Sequence, residues 1–344
     1  MPLRNLPDGY TSRPATLEDV EQAVALFNRC SLKAAGERSY DANETAVDWQ
    51  MPGFDLDRDT RVVLDTEGLI VGFAEVGDVD DPHVKVHCSG YVDPEHRRKG
   101  IGTALLEWEE ARAQQAVALA PANARVTLNC GELVNDADGR GLIEANGFKA
   151  VRSYRRMVIE MAASPPEPAW PEGVTVRSFD PARDVERALQ ASRDAFSDHW
   201  GHVETPYEKE LEQWRHWIEG DKDFDPSLWF LAEAAGSLVG QSLCWATRPE
   251  GQDFGWIYIV AVARDWRRRG LATALLQHSF VKLFERGKKR VGLAVDSASL
   301  TGANRLYEKA GMKVTRESIA YEKELRPGQD LSLRSLDEGE EDHE

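Results

Sequence analysis

Residues 97–102 read Arg-Arg-Lys-Gly-Ile-Gly, and residues 267–272 read Arg-Arg-Arg-Gly-Leu-Ala. The stretches around them, "VDPEHRRKGIGTALL" from Val92 and "VARDWRRRGLATALL" from Val262, match at eight of fifteen positions without a gap. Each basic turn lies between an apolar strand-like run and an amphipathic helix. The first turn of a helix has unpaired N–H groups and the positive end of a dipole, and together these bind phosphate. Glycine, or alanine at the last position, lets the backbone approach such a ligand closely. Arg and Lys add charge-assisted contacts. The chemistry is that of an anion cradle for a polyphosphate, formed by Arg97, Arg98, Lys99, Gly100, Ile101 and Gly102 and again by Arg267, Arg268, Arg269, Gly270, Leu271 and Ala272. It is not a Walker loop, which ends Gly-Lys-Ser/Thr, nor a dinucleotide fingerprint, which needs a third glycine and a parallel βαβ unit.

The cationic turns are local. The 344 residues carry a net charge of −17, which argues against nucleic-acid binding because that needs a broad basic surface. A chain that is 42% hydrophobic and 29% charged is a globular one, long enough for two cores. "MPLRNLPDGYTSRP" has no apolar run of a signal peptide. No window approaches the roughly 18 apolar residues of a membrane helix. The expectation is a cytoplasmic protein, monomer or homodimer, with no membrane or nucleic-acid partner. Cys30, Cys88, Cys130 and Cys244 form neither a CxxC pair nor a Cys/His cluster. No metal is expected, and the thiols read as buried fillers.

The elements that must position the cradles come in two matched sets. "ASPPEPAWPEG" at 163–173 holds four prolines and reads as a semi-extended linker. It divides the chain into 1–162 and 174–328, followed by an acidic tail, 329–344, ending "DEGEEDHE" and expected to be disordered. Each half opens with a short strand, an Arg and a helix, with Thr16 or Asp180 as candidate N-caps. A hairpin follows, turning at Gly68 or Gly236. Then come the strand, the cradle, the amphipathic helix, a β-rich run, a short helix and a last strand such as "SIAYEKEL". The fold class is α/β with a mixed sheet, present twice: a domain duplication.

The pattern R-x-x-G-x-[GA], with a strand before it and "TALL" after it, resembles the acyl-CoA-binding motif of the GNAT acetyltransferase superfamily. The resemblance covers nearly all of both halves. It implies two tandem GNAT domains and acetyl-CoA as cosubstrate. In that family the strand before the turn is bulged and its backbone holds the pantetheine arm. By that match Ile259–Val262, with Val260 and Val262, and Tyr91–Val92 line the arm. A later helix carries an Asn and a Tyr near the CoA sulfur, and "TGANRLYEKAGM" supplies Asn304 and Tyr307. The first half has "ADGRGLIEANGF" instead; aligning Gly147 with Gly311 sets Ile143 opposite Tyr307 and Arg140 opposite Asn304.

Acetyl transfer to an amine needs a proton acceptor for the amine, a donor for the developing oxyanion and a proton for the leaving thiolate. Tyr307 can supply that last proton and isoleucine cannot, so catalysis is expected in the C-terminal half and the N-terminal half reads as degenerate. Candidates for the base are Glu233 on the hairpin and His199 or Asp198 in "FSDHWGHVE", where Trp200 and Tyr207 could shape an acceptor pocket; a water relay is the alternative. Glu37 or Tyr40 could add to the acceptor site. The function read from this is transfer of acetyl to the primary amine of a small molecule by direct attack. Alternatives are a non-catalytic acyl-CoA-binding or sensing protein and a protein or peptide N-acetyltransferase. Among tandem GNATs the segment "VDSASLTGANRLYEKAGM" resembles mycothiol synthases, which acetylate the cysteinyl amine of a sugar-linked thiol. Those enzymes tend to have an acid at the start of the strand before the second cradle; Trp256 stands there in this chain.

Overall fold

The computed structural model describes residues 3–299 and 302–334, so most of the acidic tail, 335–344, lies outside the described residues. The chain folds into two compact units: Met1–Ser153 with Ser318–Leu331, and Tyr154–Glu317 with Ser332–Glu344. They are called the N-terminal and C-terminal units below. Neither is a contiguous half.

The N-terminal unit contains β1 (Thr11–Arg13), α1 (Val20–Ala35), α2 (Ala42–Asp48), α3 (Leu56–Asp59), β2 (Thr60–Leu64), β3 (Ile70–Gly77), β4 (Lys85–Val92), α4 (Ile101–Ala113), β5 (Val126–Leu133) and α5 (Ala137–Ala145). The chain then runs into β6 (Lys149–Glu160). The C-terminal unit contains β7 (Val174–Ser178), α6 (Val185–Phe196), α7 (Tyr207–Gly220), β8 (Trp229–Ala234), β9 (Ser237–Trp245), β10 (Phe254–Val262), α8 (Leu271–Glu285), β11 (Arg290–Asp296) and α9 (Ala303–Lys309), after which comes β12 (Lys313–Arg326).

The two sheets have the same plan. β1 to β4 pair antiparallel in sequence order, and β4 pairs parallel with β5 only over Lys85–His87 and Thr127–Asn129. Likewise β7 to β10 pair antiparallel, and β10 runs parallel to β11 only over Phe254–Trp256 and Arg290–Gly292. Beyond those three rungs the ladder of each parallel pair stops. The hairpins turn at Gly68 and Gly236, both in the left-handed region that favours glycine.

The last strand of each sheet was expected from the unit's own half. Instead Ser318–Arg326 of β12 pairs antiparallel with β5, and Tyr154–Glu160 of β6 pairs antiparallel with β11. The two halves of the sequence exchange their final strands. Residues 329–334, expected in the tail, are also bound: Ala124 bridges to Gln329, Gly201 N–H donates to Leu333 O at 2.6 Å, and Leu333 N–H donates to His202 O at 2.9 Å.

Each unit opens on the same electrostatic device. In the first, Arg13 donates two hydrogen bonds, 2.6 and 2.7 Å, to buried Asp19, which also accepts from Thr16 N–H. In the second, Arg177 makes the same fork on buried Asp184, at 2.5 and 2.8 Å, and Asp184 accepts from Asp180 N–H. The residue at the N-cap of α6 is Asp184 rather than Asp180; Asp180 stands one turn earlier, its N–H on the Asp184 carboxylate. The face of β10 and β11 towards α8 is filled by Leu276, Phe280, Leu283, Ile257, Leu293 and Met157, burial that anchors the helix carrying the cradle.

Candidate active site

Both cradles adopt one conformation. Arg98 (φ 62°) and Gly100 (φ 93°) are left-handed, as are Arg268 (φ 64°) and Gly270 (φ 86°). Gly100 O and Gly270 O accept the first helical bonds, from Ala104 N–H and Ala274 N–H. The preceding N–H groups of the first turn have no carbonyl one turn back to bond, and with the alternating backbone they form a concave anion nest. Ile101 and Leu271 do not face the ligand: each is 1% exposed and packs over a glycine, Gly72 or Gly240, where a Cβ would stand 3.0 or 3.2 Å from it. Their backbone alone contributes. At the last position Ala272 is accommodated, whereas a Cβ on Gly102 would lie 3.1 Å from Leu142 Cδ2.

The first arginine of each cradle is already engaged. Arg97 forks onto Asp136 at 3.0 and 2.8 Å, and Arg267 bonds Asp198 at 2.5 and 3.3 Å and Ala195 O at 2.9 Å. These side chains brace the turns. Arg98, Lys99, Arg268 and Arg269 are exposed; Arg98 lies 3.4 Å from Asp138, and Arg269 lies over the Trp266 ring. Their exposed charge leaves them able to meet an anion at the turn.

Away from the cradle the units differ. β10 has nine residues and β4 eight, between equivalent anchors: Phe254 or Lys85 in the parallel pair, and Val262 or Val92 opposite Gly240 or Gly72. The extra residue is a bulge, with the register against β9 shifting between Ile257 and Ile259. The register of β4 against β3 is unbroken. Bulges recur beside active sites because they interrupt a ladder and re-aim side chains. Tyr258, at the bulge, is 56% exposed and meets Trp217 (5.0 Å between ring centroids) and Trp245 (5.6 Å). Trp245 Nε1 donates to Asp221 at 2.7 Å. This aromatic wall escaped the sequence reading; the signal for it was the one-residue gap between the two strand copies.

Val260 and Tyr307 pack partly buried against the core under α8, and Val262 beside Leu271. Burial alone pushes the Tyr307 hydroxyl up to about 12, so it keeps its proton at neutral pH. The Nδ2 of Asn304 donates to Asp296 O at 2.8 Å and Ser297 O at 3.3 Å, tying α9 to the end of β11, while its Oδ1 is buried with no partner among the described residues. An unpaired buried acceptor is costly unless a ligand donor meets it. Gly147 and Gly311 end their helices in the same left-handed turn, with Phe148 N–H on Ile143 O and Met312 N–H on Tyr307 O. The pairing of Ile143 with Tyr307 therefore holds in three dimensions.

The candidate bases separate. Glu233 accepts from Arg177 at 2.8 Å and Arg187 at 3.0 Å; the Arg177 bond foremost holds its carboxylate below the usual range. This corrects the expectation for Glu233: a carboxylate gripped by two guanidinium groups is a poor proton acceptor. Asp198 is likewise held by Arg267. His199 stands edge-on to Phe196, 4.7 Å between centroids. Burial lowers its pKa, and it feels the charges of Asp198, Arg267 and Asp296, so it is neutral at pH 7 beside the cradle turn. Trp200 faces Arg334 and Tyr207 faces Arg193. Tyr40 accepts a 3.0 Å bond from Tyr91 within an aromatic cluster of the N-terminal unit, and Glu37 O accepts from Ser31. The Trp256 ring lies over Gly292, with Arg156 and Arg248 on it and Glu250 bonded to Arg156 at 2.8 Å.

Among the described residues no group of three or more His, Cys, Asp or Glu could hold a metal, and no helix is long and apolar enough to cross a membrane. A mixed sheet whose central parallel strands part beside a phosphate-type helix nest defines an acyl-CoA-dependent transferase fold, here in two copies. Similar proteins agree. The GNAT acetyltransferase family matches residues 186–312, and a GNAT acetyltransferase domain matches residues 57–150. The mycothiol acetyltransferases of Thermobispora bispora and Thermomonospora curvata are both 33% identical, over 73% and 76% of this chain and 79% and 82% of theirs. A GCN5-related N-acetyltransferase from Sphaerobacter thermophilus is 35% identical with a TM-score of 0.77, covering 95% of this chain and 99% of that one. A tandem GNAT protein from the clavulanic acid biosynthesis pathway, 15% identical, shares the fold at a TM-score of 0.69 over 93% of this chain and 100% of its own. The chain belongs to the GNAT acetyltransferase family and is a tandem, two-domain acyltransferase of it.

Proposed function

We propose that this protein transfers acetyl from acetyl-CoA to the primary amine of a small molecule, by direct attack in the C-terminal unit. The difference between the units carries the reading: the C-terminal unit alone combines the nest, the bulged strand and the Asn304–Tyr307 pair. The residues fit the cosubstrate, since the nest suits its diphosphate and the orphaned Asn304 Oδ1 suits an amide N–H of its arm. Bound there, acetyl-CoA supplies a thioester whose acyl carbon the amine attacks. A backbone N–H of the bulged strand stabilises the developing oxyanion. Neutral His199, or a water beside it, accepts the amine proton. Tyr307, protonated because it is buried, gives its proton to the departing sulfur. The wall of Trp217, Trp245 and Tyr258 with Asp221 forms the acceptor side. A small acceptor is favoured by the relatives named mycothiol acetyltransferases, although Trp256 replaces the acid expected of them and the acceptor's ammonium must find another partner.

The test is Tyr307→Phe. Turnover is expected to fall about a hundredfold, the scale of a lost general acid, with acetyl-CoA binding unchanged. Unaltered turnover would refute the role.

A further inference from the structure

The three rungs of the β4–β5 pair end at His87 opposite Asn129, and the residues directly beyond that last rung are Cys88 and Cys130. In the C-terminal unit the rungs end at Trp256 opposite Gly292, and the residues directly beyond are Ile257 and Leu293, each 2% exposed in the core. The duplicated domains therefore differ by a paired replacement: two hydrocarbon side chains of one core cluster in one are two thiols in the other. The Cys130 side chain beside it, and burial, raise the Cys88 thiol well above its ordinary value. Paired strands lie about 5 Å apart, inside the roughly 4.4–6.8 Å between α-carbons that a disulfide spans, and the two cysteines stand one step past the last paired rung.

A third group joins them. Glu109 of α4, where α8 has Ser279, is 3% exposed, and its Oε1 has no partner among the described residues. That oxygen lies 3.2 Å from where a Cβ on Gly90 would stand, two residues beyond Cys88. Burial drives Glu109 well above the usual carboxylate range, so the thiols adjoin a neutral acid. Cys88 is 7% exposed and Cys130 is half-buried, so a reagent reaches Cys130 first.

We propose that Cys88 and Cys130 form a reversible dithiol–disulfide pair, a covalent modification site of the N-terminal unit whose oxidants are small-molecule disulfides. The Cys130 thiolate attacks one sulfur of the small disulfide, forming a mixed disulfide and releasing one small thiol. The Cys88 thiolate then attacks the Cys130 sulfur and expels the second small thiol. Two cysteine thiols are oxidised, one small disulfide is reduced to two thiols, and the two cysteine protons end on those thiols. The pair lies outside the unit assigned to catalysis, so the inference stands apart from that reading.

The test treats the full-length protein with glutathione disulfide, quenches in acid, alkylates under denaturing conditions and reads intact and peptide masses. Two of the four cysteines are expected to become unalkylatable, with about 2 Da lost, a Cys88–Cys130 cross-linked peptide and full reversal by dithiothreitol. Cys88→Ser should instead retain one glutathione on Cys130. A persistent glutathione adduct on the unsubstituted protein, four alkylatable thiols, or a cross-link to Cys30 or Cys244 would overturn the proposal.

Discussion

Tyr307 against Ile143 and Asn304 against Arg140 are the exchanges that separate the two units at the residue scale, and the proton bookkeeping follows from them. A hydroxyl held near 12 by burial remains a proton donor throughout the physiological range. The pH–rate profile should therefore show no falling limb below about pH 10, the ordinary tyrosine value; a limb near pH 9 that Tyr307→Phe abolishes would show the hydroxyl ionising earlier. Gly270 is the second residue that tests the proposed site. Its φ of 86° has open space around the Cβ position, so Gly270→Ala creates strain rather than a clash, on the order of 1–2 kcal/mol. Calorimetric titration with acetyl-CoA should show the C-terminal site weakened about tenfold, with the melting temperature lowered by only a few degrees; equal affinity would mean that the nest is not the diphosphate site.

Elements decide how the units are completed. β5 has β4 on one side and Ser318–Arg326 of β12 on the other. Deleting residues 313–344 therefore strips the N-terminal unit of a strand that pairs Ser318 with Leu133 and Arg326 with Val126, far from it in sequence. Hydrogen exchange should show the β5 amides that face β12 losing protection in that truncation, while β2 and β3 keep theirs. Retained β5 protection would contradict the exchanged pairing. An uncovered strand edge also invites association, so the fragment 1–173 alone is expected to aggregate.

The whole molecule repeats its Arg–Asp fork once per unit, and this gives the chain a shared acid response. The Arg13 bond foremost holds Asp19 below the ordinary range. Burial pushes Asp184 up, but the Arg177 bond and the Asp180 N–H outweigh it and the net shift is also downward. Carboxylates with depressed folded values contribute stability that is fully present above the unfolded value of about 3.9 and lost as pH falls through the folded one. Scanning calorimetry should show melting temperature falling steeply below pH 4. Asp184→Asn should lower the neutral value and flatten the acid limb; an unchanged limb would remove the fork from the account.

The two cradles, the hairpins turning at Gly68 and Gly236, the duplication and the isoleucine of the first half opposite Tyr307 were legible in sequence. Each depends on local rules: turn residues need a positive φ, strands alternate, and a helix start leaves N–H groups open. The family followed from the same local signals. Partner choice was not legible. β12 reads as a strand from its own alternation, but nothing in that pattern says which sheet edge it joins, and the answer was the other unit's. Glu233 was a reasonable base as a strand carboxylate and ceased to be one once Arg177 and Arg187 were folded against it. Cys88 and Cys130, 42 positions apart, became neighbours only when a parallel register brought them together just beyond its last rung. The sequence by itself determined the local chemistry and the repeat; tertiary structure decided which groups touch, because contacts between distant segments are set by packing and register rather than by any neighbour along the chain.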